Sequence, residues 1–473
     1  MLRRVLLLAG GGLAAALAVI AVLRSGGLTV VPVDAVGVTI LVGAGGAAVL
    51  VGVLLPASGD AGRVGSLLAA SGMFWFLGVC ATPGAPNSFV FTIGLVAASG
   101  SAVVIAHLAF VAPAGGARIG LLARATVVAG YLAVFALAGV APVLFADPRL
   151  HGCAECPSNP LLVRDDPSLA GVLATVGAWV AVGWSVLASA VVISRIVGAI
   201  RRGGRVSALV SAFALVFLLA AARPFLTDVG LGAALAGGAG RTTFWALSGG
   251  ALAAMALTLA LARMTARRRV RALARLLLGP GPVEPPGMTA SLRTALGDPT
   301  LRISYPTSDG GYVTDEGESV DAALGEPLSS TPLRFGSVES ALILHRPALF
   351  DLPGLREDVG STARLGLAHE RLLAIRRAQL RALEASRDRL EDAADAERRR
   401  LARDLHDGAQ QQLVGLALLL RFARSRVDEL GASEASAEHV TLAQNGVDAA
   451  IETLRSLTRG LHTDEASQTK IQS

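Results

Sequence analysis

Eight apolar stretches precede residue 263, at positions 5–23, 35–55, 64–80, 89–111, 119–144, 169–193, 206–222 and 242–262. A helix of about 20 residues crosses the hydrocarbon core of a bilayer, so this half of the chain is expected to form an α-helical membrane bundle of about eight spans. Beyond residue 263 the long apolar runs stop and charge accumulates. The mean hydropathy of +0.58 is thus an average over two unlike halves, and 16% charged residues does not suit a single soluble globule. The first stretch reads as a retained span, not a cleaved leader. Seven more follow it, and Arg3 and Arg4 precede it.

Arginine placement sets the expected orientation. With the N-terminus in the cytoplasm, the inner loops hold Arg63, Arg118, Arg195, Arg201, Arg202 and Arg205, and the exit from the last span holds Arg263, Arg267, Arg268, Arg269, Arg271 and Arg275. An even number of spans puts the C-terminal half in the cytoplasm too, as a multi-pass protein of a bacterial inner membrane in contact with lipid. Aromatic residues make up only 4% of the chain and the net charge is +6, so a nucleic-acid partner, which calls for a basic face with stacking rings, is set aside. The spans hold few ionisable groups. That argues against a transport pathway, and leaves His107 reading as a packing residue before a proton or metal sensor.

The longest outer loop contains His151, Cys153 and Cys156. On the oxidising side of a membrane, Cys153 and Cys156 suit a short disulfide. Two cysteines and one histidine fall short of the four ligands of a closed zinc site, so no metal site is expected. Cys80, inside a span, reads as packing.

A breaker-rich linker follows the arginine cluster, with Gly279-Pro280-Gly281-Pro282 and then Pro285-Pro286-Gly287. Short β-like runs come next: 301–305, a turn at Asp309-Gly310-Gly311, a return strand at 311–314, and then 333–335 and 340–344. A helix is expected to open near Leu352. The stretches 296–299, 309–311 and 345–350 resemble the input modules of sensor kinases, which implies a small α+β GAF-like domain. No ligand set stands out, so a spacer and a small-molecule sensor both remain open.

From 365 to about 430 there is no proline. Leu373, Leu380, Leu383 and Leu390 repeat at seven, three and seven, and Leu413, Leu416, Leu420, Ala423 and Val427 at three, four, three and four. That is a coiled-coil or bundle seam. After a break at Gly431-Ala432-Ser433, a second helix carries Val440, Val447, Leu454 and Leu461. Two such amphipathic helices form a hairpin, and two hairpins are expected to form a dimeric four-helix bundle.

Within the first helix stands Glu397-Arg398-Arg399-Arg400-Leu401-Ala402-Arg403-Asp404-Leu405-His406-Asp407-Gly408-Ala409-Gln410-Gln411-Gln412-Leu413. This closely resembles the phosphoacceptor box of the bacterial two-component sensor histidine kinases, in the subgroup that includes the nitrate sensors. The resemblance implies that His406 accepts a phosphoryl group from ATP, that Asp407 acts as acid/base, and that Gln411 positions a water when the partner is dephosphorylated. It also implies a homodimer and a response regulator as partners. His439 and His462 match no phosphoacceptor context. Such kinases continue with an ATP-binding domain, yet only twelve residues follow Leu461. ATP, the phosphoryl donor, is therefore expected to be bound by a domain that is separate or missing, through truncation, a frameshift or a split gene.

The expected divisions are a transmembrane sensor at 1–262, a basic juxtamembrane segment and linker at 263–290, the GAF-like domain at 291–362, a signalling coiled coil at 363–395, the dimerisation and phosphoacceptor domain at 396–462, and a disordered tail at 463–473. Two rival functions share these features: a non-catalytic phosphotransfer or decoy subunit, and a membrane transporter with a coiled-coil tail.

Overall fold

In hydrocarbon no water is available to the peptide groups, so a spanning segment must satisfy its own N–H and C=O groups, and the α-helix does so. The computed structural model describes residues 2–25, 31–32, 34–56, 59–112, 120–150, 153–231, 237–278, 287–307, 310–320, 328–335, 338–429, 431 and 434–468. Among these are eight helices long and apolar enough to cross a membrane. They are α1 (Leu2–Arg24), α2 (Ala35–Leu54), α3 (Gly59–Val79), α4 (Ser88–Val111), the composite of α5 (Leu121–Gly130), a π-helical segment (Tyr131–Val140) and α6 (Ala141–Val143), then α7 (Pro167–Arg201), α8 (Arg205–Ala221) with the short α9 (Arg223–Asp228), and α10 (Gly238–Leu278). The chain divides into two compact units, residues 1–376 and 377–473.

Local chemistry starts several of these helices. Asp34, Asn87 and Asp166 each accept a hydrogen bond from the backbone three residues on, at Gly37, Val90 and Leu169, and Pro167 fills the first helical position where no N–H is needed. Small residues let α2 and α3 touch. A Cβ on Gly52 would lie 2.5 Å from the Gly65 carbonyl oxygen, which fits packing driven by close backbone approach. The π segment ends against Pro142, which lacks an N–H and crowds the carbonyl four residues back. Beside it the Tyr131 hydroxyl lies 3.4 Å from His107 Nδ1, and the two rings meet edge to face. His107 therefore packs between helices. Cys80 is buried.

In the outer loop Cys153 and Cys156 are disulfide-bonded, with their Cα atoms 5.4 Å apart. His151 lies outside the described residues. Buried Asn159 organises the loop, donating to the Ala146 carbonyl at 3.0 Å and accepting from the Leu161 amide at 3.0 Å.

Two helices run past their expected ends. α7 continues to Arg201, beyond 193, and α10 carries through the arginine cluster to Leu278, beyond 262. Arginine is a good helix former, and the first breakers come only at Gly279-Pro280. The linker 279–286 lies outside the described residues.

Beyond the long apolar helices, the described residues of the first unit form an antiparallel sheet of five strands in the order β3-β2-β1-β5-β4. The strands are β1 (Arg302–Pro306), β2 (Tyr312–Thr314), β3 (Ser319–Val320), β4 (Ser329–Phe335) and β5 (Val338–His345). Helix α11 (Met288–Leu296) precedes it, and α12 (Leu355–Glu429) leaves it. Leu292, Leu296, Ile303, Tyr305, Val313, Ile343 and Phe350 are buried together with Leu355, Val359, Ala363 and Leu367 from the first turns of α12. Gly366 permits the close approach, since a Cβ there would collide with the end of Met288.

Two polar clusters hold this domain. Asp298, 1% exposed at its side chain, accepts from the Arg346 amide at 2.8 Å, from Arg346 Nε at 2.9 Å and from the Thr300 hydroxyl at 2.7 Å. Burial alone would raise its pKa; these donors outweigh burial and hold it down to about 2. Next to it, His345 Nδ1 meets the Arg346 carbonyl at 2.7 Å and Nε2 meets the Thr331 hydroxyl at 2.8 Å. The carbonyl only accepts, so Nδ1 carries the proton and Nε2 accepts from Thr331. Burial pushes the His345 pKa down, in keeping with a neutral ring.

The sheet domain is fastened to the bundle by charge. Arg263 of α10, 11% exposed, meets Asp358 of α12 at 2.5 Å. The Ser207 hydroxyl of α8 donates to Asp351 at 2.8 Å. Arg356 reaches Asp60 of α3 at 3.4 Å.

Two outcomes follow for stability. Asp298→Asn is expected to cost about 2 kcal/mol, read as roughly 30-fold faster exchange of the Arg346 and Thr300 amides. The folded-state pKa lies below the ordinary value near 4. The wild-type contribution is therefore complete above about pH 4 and disappears as pH falls through about 2, whereas the variant loses that acid dependence. At the junction, Arg263→Ala and Asp358→Ala are each expected to speed amide exchange across 355–363 by about tenfold, and the double variant by little more than either single one.

Candidate functional site

α12 is the element that carries the sequence motif, and its composition explains its persistence. No proline interrupts residues 355–429, and Glu357 and Asp358 sit in the first turn, where the helix dipole favours acids. In the second unit the helix is braced by i,i+3 and i,i+4 ion pairs. Arg398 meets Asp395 at 3.3 Å, Arg400 meets Glu397 at 2.8 Å and Arg426 meets Glu429 at 2.9 Å. These pairs are exposed, so each contributes only a few tenths of a kcal/mol.

His406 is helical at its backbone; its side chain lies outside the described residues. Asp407 and Gln411 are both exposed, and their four-residue spacing puts them on one flank of the helix. Arg403, Arg399 and Gln410 stand three and seven positions before and four after His406, which is the stripe His406 itself occupies. Arg403 and Arg399 donate through Nε to the carbonyls of Arg399 and Asp395, at 3.3 and 3.2 Å. Their cationic heads thus stay on this stripe, unlike Arg398 and Arg400, which face carboxylates. Gly408 is open, with nothing within 4 Å of where a Cβ would sit.

The apolar positions of this unit form two faces. Leu413, Leu420, Ala423 and Val427 are half-buried, as the seam spacing predicts, while Leu416 of the same seam is 45% exposed. The second helix, α13 (Glu434–Gln468), has Val447 buried and Val440 and Leu454 half-buried. It continues past the expected end at His462 because nothing after Gly460 breaks it. The side chain of His462 and all of residues 469–473 lie outside the described set. A second stripe, Val414, Leu418 and Phe422, is 47%, 58% and 67% exposed. The heptad reading passed over this stripe, although the four-residue spacing of 414, 418 and 422 signals it. Upstream, Leu380, Leu383 and Leu390 are also exposed. His439 is exposed and bonded to the Ala435 carbonyl.

Among the described residues no group of His, Cys, Asp and Glu is arranged to hold a metal. The sheet domain has a half-open cavity of about 350 Å³ with a mixed polar and apolar lining beside Thr289, Arg302 and Asp315, where sequence reading found no ligand set.

Residues 397–466 match the family model described as histidine kinase. This stretch is a histidine-kinase dimerisation and phosphoacceptor domain, of the nitrate-sensor-like subgroup. The same comparison finds no ATP-binding domain. No curated protein and no solved structure matches the chain.

Gly408 offers a direct check on the helix. Gly408→Ala is expected to stabilise this part of α12 by roughly 0.5–1 kcal/mol, seen as about threefold slower amide exchange across 405–415.

Proposed function

We propose that the chain is the sensing and phosphoacceptor part of a two-component signalling system, embedded in a bacterial inner membrane with both termini in the cytoplasm. The observation that carries this reading is the histidine kinase match at 397–466, centred on a box in which His406, Asp407 and Gln411 stand together on one continuous helix.

The chemistry proceeds by nucleophilic transfer. One ring nitrogen of His406 attacks the γ-phosphorus of ATP held by a kinase ATP-binding domain. The bond to the bridging oxygen breaks, ADP leaves, and a phosphoramidate forms. Asp407 accepts the proton that the ring gives up, and its exposure leaves it within reach of solvent. Arg399 and Arg403 place positive charge on the stripe where the dianionic phosphoryl group arrives. The group then passes to an aspartate of a response regulator. In a separate hydrolytic step Gln411 positions a water that attacks the regulator's aspartyl phosphate, releasing inorganic phosphate and restoring the free carboxylate.

The exposed stripe of Val414, Leu418 and Phe422 supports a homodimer. Burying such side chains contributes about 1.5–3 kcal/mol each, and a second hairpin supplies the matching face in a four-helix bundle. The basic end of the membrane bundle, where Arg195 of α7 donates to the Phe110 carbonyl at 3.1 Å, faces the sheet domain and supports a cytoplasmic location for it. That sheet domain, read as GAF-like, relays the state of the spans into α12.

The test uses the full chain in lipid nanodiscs, an added histidine-kinase ATP-binding domain and γ-labelled ATP. Wild type is expected to gain acid-labile, base-stable label, and His406→Gln none. Asp407→Asn is expected to slow labelling by about 10²-fold, and Gln411→Ala to keep labelling while slowing regulator dephosphorylation. Label persisting in His406→Gln, or absent from wild type, refutes the reading.

A further inference from the structure

The second half of α10 presents one outward face, and that face changes character where the apolar stretch stops. Leu257, Leu261 and Met264 stand four and three apart and are 60%, 53% and 52% exposed. The same alternation of four and three continues through Arg268, Arg271 and Arg275, all exposed, so the six share one stripe of the helix. The opposite stripe, Leu252, Leu259, Ala266 and Leu273, is fully buried, where α10 meets α2, α8 and α11.

These arginines carry charge that nothing around them neutralises. α10 contains no acidic residue, and among the described residues Arg268, Arg271 and Arg275 have no hydrogen-bond or ion-pair partner. Arg263, just over one turn earlier, is by contrast 11% exposed and paired with Asp358. Depth and direction both favour the bilayer surface. With Met264 as the last apolar residue of the stripe, Arg268 lies about 6 Å beyond it and Arg271 about 10 Å, at 1.5 Å per residue. The headgroup layer on each side of a bilayer is about 5–7 Å deep, so Arg268 falls at the level of the phosphates. Helical side chains lean toward the helix N-terminus, which for α10 is the direction of the apolar stretch. Arg271 and Arg275 therefore lean back toward the same layer, their apolar stems along the helix.

Unpaired guanidinium groups in line with an exposed apolar stripe complement phosphodiester anions held at a bilayer surface. We propose that this face of α10 binds the headgroups of anionic phospholipids. Arg268, Arg271 and Arg275 donate to phosphate oxygens, while Leu257, Leu261 and Met264 lie against the acyl chains of the same lipids. Arginines anywhere on the inner side satisfy the orientation rule. The continuous stripe goes further, because it sets the charge against the lipid that this helix already touches. The proposal rests on the membrane reading above and not on the phosphotransfer reading.

The full chain is placed in phosphatidylcholine nanodiscs with a trace of spin-labelled phosphatidylglycerol or spin-labelled phosphatidylcholine. Electron paramagnetic resonance reads the fraction of each label immobilised at the protein. In low salt the glycerol lipid is expected to be favoured at least threefold, and the preference is expected to fall to near one at about 1 M salt, where screening acts within about 3 Å. Arg268→Gln, Arg271→Gln and Arg275→Gln together are expected to cut the preference at least twofold; glutamine keeps the helix propensity. Lysine at the same three positions is expected to retain most of it. Removing equal charge elsewhere on the inner side, with Arg4→Gln, Arg201→Gln and Arg205→Gln at exposed positions, is expected to change it by less than about 1.5-fold. No preference for the glycerol lipid, a preference indifferent to salt, or equal loss in the two glutamine triples overturns the proposal. Binding of a short RNA to the zwitterionic discs at physiological salt, tighter than the roughly micromolar limit of non-specific attraction and lost with the stripe arginines, assigns the face to nucleic acid and likewise overturns it. Carbonate washing separates the underlying reading. A chain stripped from vesicles at high pH refutes the membrane reading and this proposal with it, whereas a chain that stays embedded without lipid preference refutes the proposal alone.

Discussion

The ion pair between Arg263 and Asp358 ties the two chemistries of this chain together. Arg263 lies where α10 leaves the apolar stretch, and Asp358 lies in the first turn of the helix that bears His406. Arg263 is largely removed from solvent, so the charge requires its partner; breaking such a pair leaves an uncompensated buried ion. Asp60–Arg356 and Ser207–Asp351 surround the same corner. The start of α12 is thereby fixed by three different spans.

The phosphoacceptor segment is built on opposite principles. Its ion pairs are local and exposed, and it uses them only to keep the helix intact. Its box is set out by register: His406, Asp407 next to it, Gln411 four positions after Asp407, and a stripe of guanidinium groups held along the backbone. A helix gives such a list of positions a fixed geometry without a pocket, with Asp407 and Gln411 exposed on its flank.

The spans and the motif were legible because each rests on a short-range rule. Transfer of about 20 apolar residues dominates any local preference, and the phosphoacceptor box is contiguous. The strand runs at 301–305 and 340–344 fall within one residue of β1 and inside β5 for the same reason. The features that escaped the sequence depend on distant partners. The Asp298 clamp joins residues 48 positions apart, and the two-residue β3 exists only because β2 is beside it. Helix α10 looked complete at 262 because hydropathy changes there, but hydropathy does not end a helix. The Trp245 ring nitrogen and the Thr82 hydroxyl, buried and without a partner among the described residues, give no signal in the sequence.

The ten-residue π segment in the fifth span, Tyr131–Val140, has its own mechanical meaning. Wide turns of this kind hold a surplus of chain relative to ordinary helical winding. Rewinding one of them to α geometry would pass a residue along the axis, sliding the adjoining portion by about 1.5 Å and swivelling it by roughly 100°. The surplus of chain lies at the level where Tyr131 meets His107.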